Sequence, residues 1–175
     1  MKTEGKYHND FIIDRLTNSI TNRISGDSFM TEVSLVSKSD WTTLSKKNGW
    51  LFDWKSEIKM PEREVYKLTI IHNPNIIQGI VSLSLKTDHV FLNLVENAPF
   101  NRGREKLYEG VAGNLVAFGC RLSFQRGNEG YLSFHAKSNL IEHYEKTLNA
   151  KHYGKQLMVI DTNAALILVD KYFKS

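Results

Sequence analysis

Leu92-Asn93-Leu94-Val95-Glu96-Asn97 is followed by Pro99, by a loop carrying Arg102, Arg104 and Lys106, and by Gly110-Val111-Ala112-Gly113-Asn114-Leu115-Val116. Leu92 and Leu94 alternate as in a strand, and Val111, Leu115, Phe118 and Leu122 recur at the spacing of one buried helix face. Residues 92–122 therefore read as strand, basic loop and glycine-opened helix. A glycine at a helix start lets the backbone approach a bound group, because no Cβ stands in the way. The first N–H groups of the helix lack internal partners and its dipole favours an anion, so the layout suits a diphosphate. Close helix packing is the alternative use of Gly110 and Gly113. No Gly-Lys-Ser/Thr follows, so this is not a Walker loop, and Gly110-x-x-Gly113 lacks the third glycine of a dinucleotide fingerprint.

Upstream, Val65 to Ile71 is rich in β-formers, His72-Asn73-Pro74-Asn75 is a turn cluster, and Ile77, Gly79, Val81, Leu83 and Leu85 line one face of the next strand. Lys86-Thr87-Asp88 turns the chain into Val90, Leu92 and Leu94, completing an antiparallel meander. Earlier still, Phe11, Ile12, Leu16, Ile20 and Ile24 have helical spacing, so a helix is expected over Asn9 to Ile24. Phe29 to Val36 follows as a strand, and Ser39 or Asp40 is expected to cap a short helix ended by Asn48-Gly49. The stretch from Trp50 to Arg63 has no decisive pattern. Its aromatics Trp50, Phe52 and Trp54 fit either core packing or an acceptor pocket. Downstream, Gly127 to Gly130 ends the long helix and Tyr131 to Ala136 is a strand. Ser138-Asn139 starts a helix running through Tyr144 to Leu148, a hairpin turns near Gly154-Lys155, and Thr162 caps a last helix. Strand–helix–strand units favour a right-handed crossover onto a parallel pair. The expected fold is α/β: a mixed sheet with an antiparallel N-terminal meander, flanked by helices, with a crevice at the strand ends.

The chain has 175 residues, 41% of them hydrophobic and 24% charged, which suits one ordinary domain over 1–175. One cysteine, Cys120, allows neither an intrachain disulfide nor a thiolate zinc site, and in mid-helix it reads as a small buried hydrophobe. Met1 to Asp14 lacks the apolar core of a signal peptide, and no stretch is apolar enough to span a bilayer. A cytoplasmic protein without membrane contact is expected. The net charge of +4 is scattered among acids, with no basic, aromatic-interleaved patch, so a nucleic-acid partner ranks last.

The stretch Leu107-Tyr108-Glu109-Gly110-Val111-Ala112 resembles the diphosphate loop Gln/Arg-x-x-Gly-x-Gly/Ala of the GNAT superfamily of N-acetyltransferases. Gly110 and Ala112 fit, whereas Leu107 stands at a polar position. Further on, Asn139 followed by Tyr144-Glu145-Lys146 is similar to the family's asparagine and Tyr-Glu-Lys helix, at a shorter spacing. The resemblance covers about Val65 to Ile160, and the final helix looks like an addition.

The resemblance implies acetyl-CoA as co-substrate, no metal, and direct transfer to an amine in a ternary complex. Arg104, Lys106 and the run Glu109, Gly110, Val111, Ala112, Gly113 and Asn114 would hold the diphosphate. Asn139 would touch the coenzyme A arm, although with Glu142 three residues on it also matches a capping box. Tyr144 would reprotonate the leaving thiolate, since a phenol's pKa of about 10 is no lower than a thiol's. Glu96 would take the amine's proton, and strict alternation sets it on the face of Leu92 and Leu94. His135 is a second candidate base, and His143 is expected at the surface. An acyl-CoA sensor without catalysis is the competing function. The acceptor, the acyl chain and pairing with a second copy of the chain stay open.

Overall fold

The computed structural model describes residues 7–173. Strands β1 (Ser19–Asn22) and β2 (Ser28–Leu35) lead into two short helices, α1 (Lys38–Trp41) and α2 (Trp54–Lys59). Strands β3 (Arg63–Ile70), β4 (Gly79–Leu85) and β5 (Val90–Asn97) form the meander. The two-residue strand β6 (Tyr108–Glu109) precedes α3 (Val111–Gln125). Then come β7 (Leu132–His135), α4 (Ile141–Leu148), β8 (Lys151–His152), β9 (Leu157–Ile160) and α5 (Thr162–Phe173). The nine strands make one mixed sheet in the order β6-β1-β2-β3-β4-β5-β7-β9-β8. Among the described residues no helix is long and apolar enough to cross a membrane.

Two apolar clusters lie on opposite faces of this sheet. The larger joins α3, α4 and α5 to Val81, Leu83, Val90, Leu92 and Val95. The smaller gathers Leu44, Trp50 and Trp54 over Val65, Ile80 and Leu94. Leu92 and Leu94 thus face opposite ways, which strict alternation forbids. The cause is a bulge: Ser82 pairs with Leu94 but Leu83 with Leu92, leaving Asn93 as the extra residue. Asn93 Nδ2 donates to Ser84 Oγ at 2.9 Å and holds the bulge. The expected parity of Glu96 is corrected accordingly: it shares the face of Leu94 and Trp54, not that of Leu92.

The parallel pair β5 and β7 is registered only at Val90–Leu132 and Phe91–Ser133. Beyond Phe91 the bulged strand leaves its neighbour, and a crevice opens between the strands' C-terminal ends. The helix expected over Asn9 to Ile24 is absent. Phe11 and Ile13 are buried while Ile12 between them is 45% exposed, the period of an extended chain. Thr17-Asn18-Ser19 favours extended and turn conformations, and β1 begins within the expected helix. Three caps also move. Ser37 rather than Ser39 or Asp40 precedes α1, Asp161 Oδ1 accepts the Ala164 N–H at the head of α5, and Leu140 stands at the cap position of α4 without a side-chain bond. The Asn139–Glu142 capping box therefore does not form.

Tyr7, where the described chain begins, donates to Glu57 Oε2 at 3.2 Å and packs edge-on against Phe52. Glu57 is itself fully buried and is gripped by Arg63 Nη1 at 2.8 and 2.6 Å. Breaking a buried pair costs about 3–5 kcal/mol, because the remaining charge stays out of water. Arg63→Leu is accordingly expected to lower unfolding free energy by about 3 kcal/mol in urea titration. A loss below about 1 kcal/mol would show that the pair does not hold α2 to the sheet.

Candidate functional site

The N-terminus of α3 forms one end of the crevice. Gly110 caps it at φ 100°, a left-handed conformation in which a Cβ would also press to 3.0 Å from Ser19 O. Its N–H donates to Asp14 Oδ1 at 2.9 Å, and Lys106 Nζ meets Asp14 Oδ2 at 2.8 Å. The turn therefore does hold an anion, and that anion is a carboxylate of the chain itself. At Gly113 a Cβ would strike the Tyr172 hydroxyl, which donates to Arg15 O at 2.9 Å. Glycine at 113 thus serves the close approach of α5. Asn114 Nδ2 accompanies the helix start, donating to Gly110 O at 2.7 Å and to Ser19 O at 3.4 Å.

Residues 9–15 run through the crevice. Asn9 N donates to His135 O at 2.7 Å and Lys137 N donates to Asn9 O at 3.0 Å, forming a parallel bridge at Ala136. Ala136 N points the other way, to Gln156 O beside β9. Asn9 consequently occupies the edge of β7 that β5 has vacated. The Tyr144 hydroxyl, with no solvent exposure, donates to Phe11 O at 2.7 Å. Its ring packs against Phe11 and Phe134 at centroid distances of 4.8 and 5.0 Å. Burial, assisted by the charge of Asp10, pushes this phenol well above the ordinary tyrosine range, so the proton stays on Oη. His143 is half-buried rather than at the surface, and its Nε2 accepts the Ile13 N–H at 3.0 Å. Burial lowers its pKa below the ordinary 6.5.

On the other wall, Glu96 is 4% exposed. It accepts from Leu51 N at 2.7 Å, Phe52 N at 3.3 Å, Trp54 Nε1 at 2.7 Å and Arg102 Nη1 at 3.0 Å. A carboxylate has about four acceptor positions, and these donors fill them. The assignment of Glu96 as a free base is therefore corrected: it anchors loop 51–54 to the end of β5. Arg102 also donates to Gly49 O at 2.6 Å, so it braces this loop instead of facing the helix start. A cleft of about 250 Å³ remains between loop, strand end and segment, lined by Asp10, Phe11, Leu51, Glu96, Asn97 and Arg102 among others.

The remaining expected site residues separate. Glu109 pairs with Arg23 at 3.6 Å in β6, Arg104 is exposed and Asn139 is exposed on a turn. Val111 and Ala112 are buried in the larger cluster. His135 packs against Phe91 at 5.6 Å. Cys120 is fully buried and burial pushes its thiol up, the reverse of a nucleophile. Sequence reasoning missed Asp14 and Tyr172. The weak helix propensity of residues 17–19 was the available signal that the helical pattern was false.

No protein-family model and no curated protein sequence matches the chain. Solved structures do match. The spermidine N-acetyltransferase of Vibrio cholerae, in complex with CoA and spermine, aligns with TM-score 0.57 and 13% identity, over 78% of this chain and 98% of that one. A chimera of that Vibrio cholerae enzyme and hSSAT aligns at 0.53 and 14%, with the same coverage. The KacTA–DNA complex aligns at 0.51 and 12%, over 79% and 98%. At these identities what is shared is the fold, and it is the GNAT N-acetyltransferase fold.

Two outcomes follow from the site's bonds. Glu96→Gln turns an amide NH2 against a donor, so a loss of about 2 kcal/mol in stability is expected by chemical denaturation. An unchanged midpoint would mean that the anchor is dispensable. Neutral His143 accepts from Ile13, whereas the imidazolium has no lone pair to offer. Because burial depresses the folded pKa, the unfolded chain takes up the proton first as pH falls through 6.5. Stability should thus hold above 6.5 and drop below it, down to the depressed value. In melting scans from about pH 8 to 5, His143→Gln, which keeps an acceptor, should flatten this slope. Parallel slopes in both proteins would remove His143 from the linkage.

Proposed function

We propose that the chain is an acyl-CoA-dependent N-acyltransferase, acting as one acyl-CoA-binding domain that transfers an acetyl group from acetyl-CoA to an amine by direct attack. One observation carries this reading. On a sheet of the fold shared with a CoA-bound N-acetyltransferase, the crevice left by β5 and β7 ends at an amide and an ammonium that already seat an anion. A seat that accepts the Asp14 carboxylate has the charge and donors a diphosphate needs.

Acetyl-CoA supplies the acyl group as a thioester. In this reading Gly110 N–H and Lys106 Nζ bind its diphosphate, with Ala112 and Gly113 contributing backbone of the first turn. The attacking amine loses one proton and the departing sulfur gains one: Tyr144 Oη, protonated in the crevice, gives its proton to the sulfur and takes up the amine's, so the phenol is restored. The cleft beside Leu51, Asn97 and Arg102 admits the amine, and Glu96 positions the loop that walls it. Cys120 lies inside α3 and takes no part, in keeping with transfer without a covalent enzyme intermediate.

Acetyl-CoA at a hundredfold excess over its Kd should stabilise the protein by about 2.7 kcal/mol, read as a rise in Tm. Thiol should be released on adding amines. Tyr144→Phe keeps the ring, so turnover should fall about a hundredfold without weaker acetyl-CoA binding. Unchanged turnover would remove the acid assignment. The absence of both a thermal shift and thiol release would sink the reading as a whole.

A further inference from the structure

Residues 9–15 do more than fill the larger apolar cluster. Burial of Phe11 and Ile13 would be satisfied by any extended segment whose alternate side chains point inward. It does not require a carboxylate on the Gly110 amide that caps α3, nor a backbone carbonyl on Tyr144 Oη. Yet Asp14 takes Gly110 N–H and Lys106 Nζ, and Phe11 O takes the Tyr144 hydroxyl. Asn9 in turn occupies the edge of β7 that faces the gap, through His135 O and Lys137 N. Three separate groups assigned to the co-substrate are thus engaged by one stretch of chain, in an order that follows the crevice. His143 and Tyr172 clamp the stretch from outside, at Ile13 N and Arg15 O.

Resting on the assignment of the crevice to acyl-CoA, we infer that residues 9–15 are an intrasteric strap: an internal occupant that acyl-CoA must displace before the amine can be acylated. The strap imitates its competitor chemically. A carboxylate sits at the diphosphate seat, and an amide-bearing chain leads from it to the proton donor. Both cannot be bound at the seat, because Gly110 has a single N–H and the Asp14 carboxylate and the diphosphate each require it. The closed form therefore does not turn over. The apparent Kd for acyl-CoA exceeds the intrinsic one by the reciprocal of the open fraction, so weakening the strap tightens binding. A ligand carrying two negative charges at the seat outcompetes a single carboxylate once its concentration suffices. Only bonds to the strap change on opening. The Glu96 anchor and the Asn93 bulge, which hold the crevice walls, do not involve it.

The test combines calorimetric titration of coenzyme A and acetyl-CoA into wild-type protein and Asp14→Asn with amide hydrogen exchange across residues 9–15. Asp14→Asn removes the ion pair with Lys106 and preserves side-chain shape. It should bind coenzyme A at least about tenfold more tightly than wild type. In wild-type protein, saturating coenzyme A should strip exchange protection from Asn9 and Ile13, whose N–H groups are bonded only when the strap is docked. If coenzyme A binds both proteins equally and residues 9–15 stay protected, the strap is overturned while the acyl-CoA reading stands. If neither protein binds coenzyme A and protection is unchanged, the acyl-CoA reading fails and takes the strap with it. The exchange experiment needs no variant, so it decides the matter even if Asp14→Asn does not fold.

Discussion

A carboxylate shared between the Gly110 amide that caps α3 and the ammonium of Lys106 governs the architecture on this side of the molecule. Helix starts carry N–H groups without intrahelical partners and a positive dipole end, and burying them demands an acceptor. Asp14 provides one, and by doing so sets the course of the chain on both sides of it. Before Asp14, the segment lies in the gap between β5 and β7. After it, Arg15, Thr17 and Ser19 present carbonyls to Tyr172 and Asn114, and the chain continues into β1. The C-terminal helix is drawn into the same arrangement, since Tyr172 can reach Arg15 only across a residue without a side chain, Gly113.

That gap exists because of a single extra residue. Asn93, held by Ser84, shifts the register of β5 against β4 and turns Leu94 and Glu96 to the face of Trp54. The strand then has no reason to stay beside β7, whose free edge must find another partner for its backbone groups. Glu96, delivered to the far face, gathers two backbone amides, an indole and a guanidinium, and so turns an irregular loop into a wall. Charge near the crevice is thereby sorted into two jobs: Glu96 and Arg102 build the wall, while Lys106 faces the seat.

Much of the scaffold was legible in the chain. The meander from Val65 to Leu94, the glycine-opened helix, the strand before Ala136 and the hairpin near Gly154 all appear where alternation and helical spacing put them. The resemblance to the GNAT family led to the fold now seen. Errors concentrate where two patterns compete. Phe11, Ile12, Leu16 and Ile20 match a helix on paper, but the partners that draw the segment into extended form, His135, Tyr144 and His143, lie more than a hundred residues away. Capping residues were misread for a local reason: Ser37, Asp161 and Leu140 each stand one to three positions from the residue chosen, within the uncertainty of helix ends.

The sequence by itself determined the periodicities, and with them the antiparallel meander, the helices that flank it and the anion-loving turn at Gly110, because these depend on backbone geometry and neighbours a few residues apart. Tertiary structure alone decided what meets that turn. Whether its amide faces solvent, a phosphate or the chain's own Asp14 depends on contacts between residues distant in sequence, and such contacts leave no period to read. Asp14 has the composition of any surface carboxylate, and only its position in space makes it the counter-ion of α3.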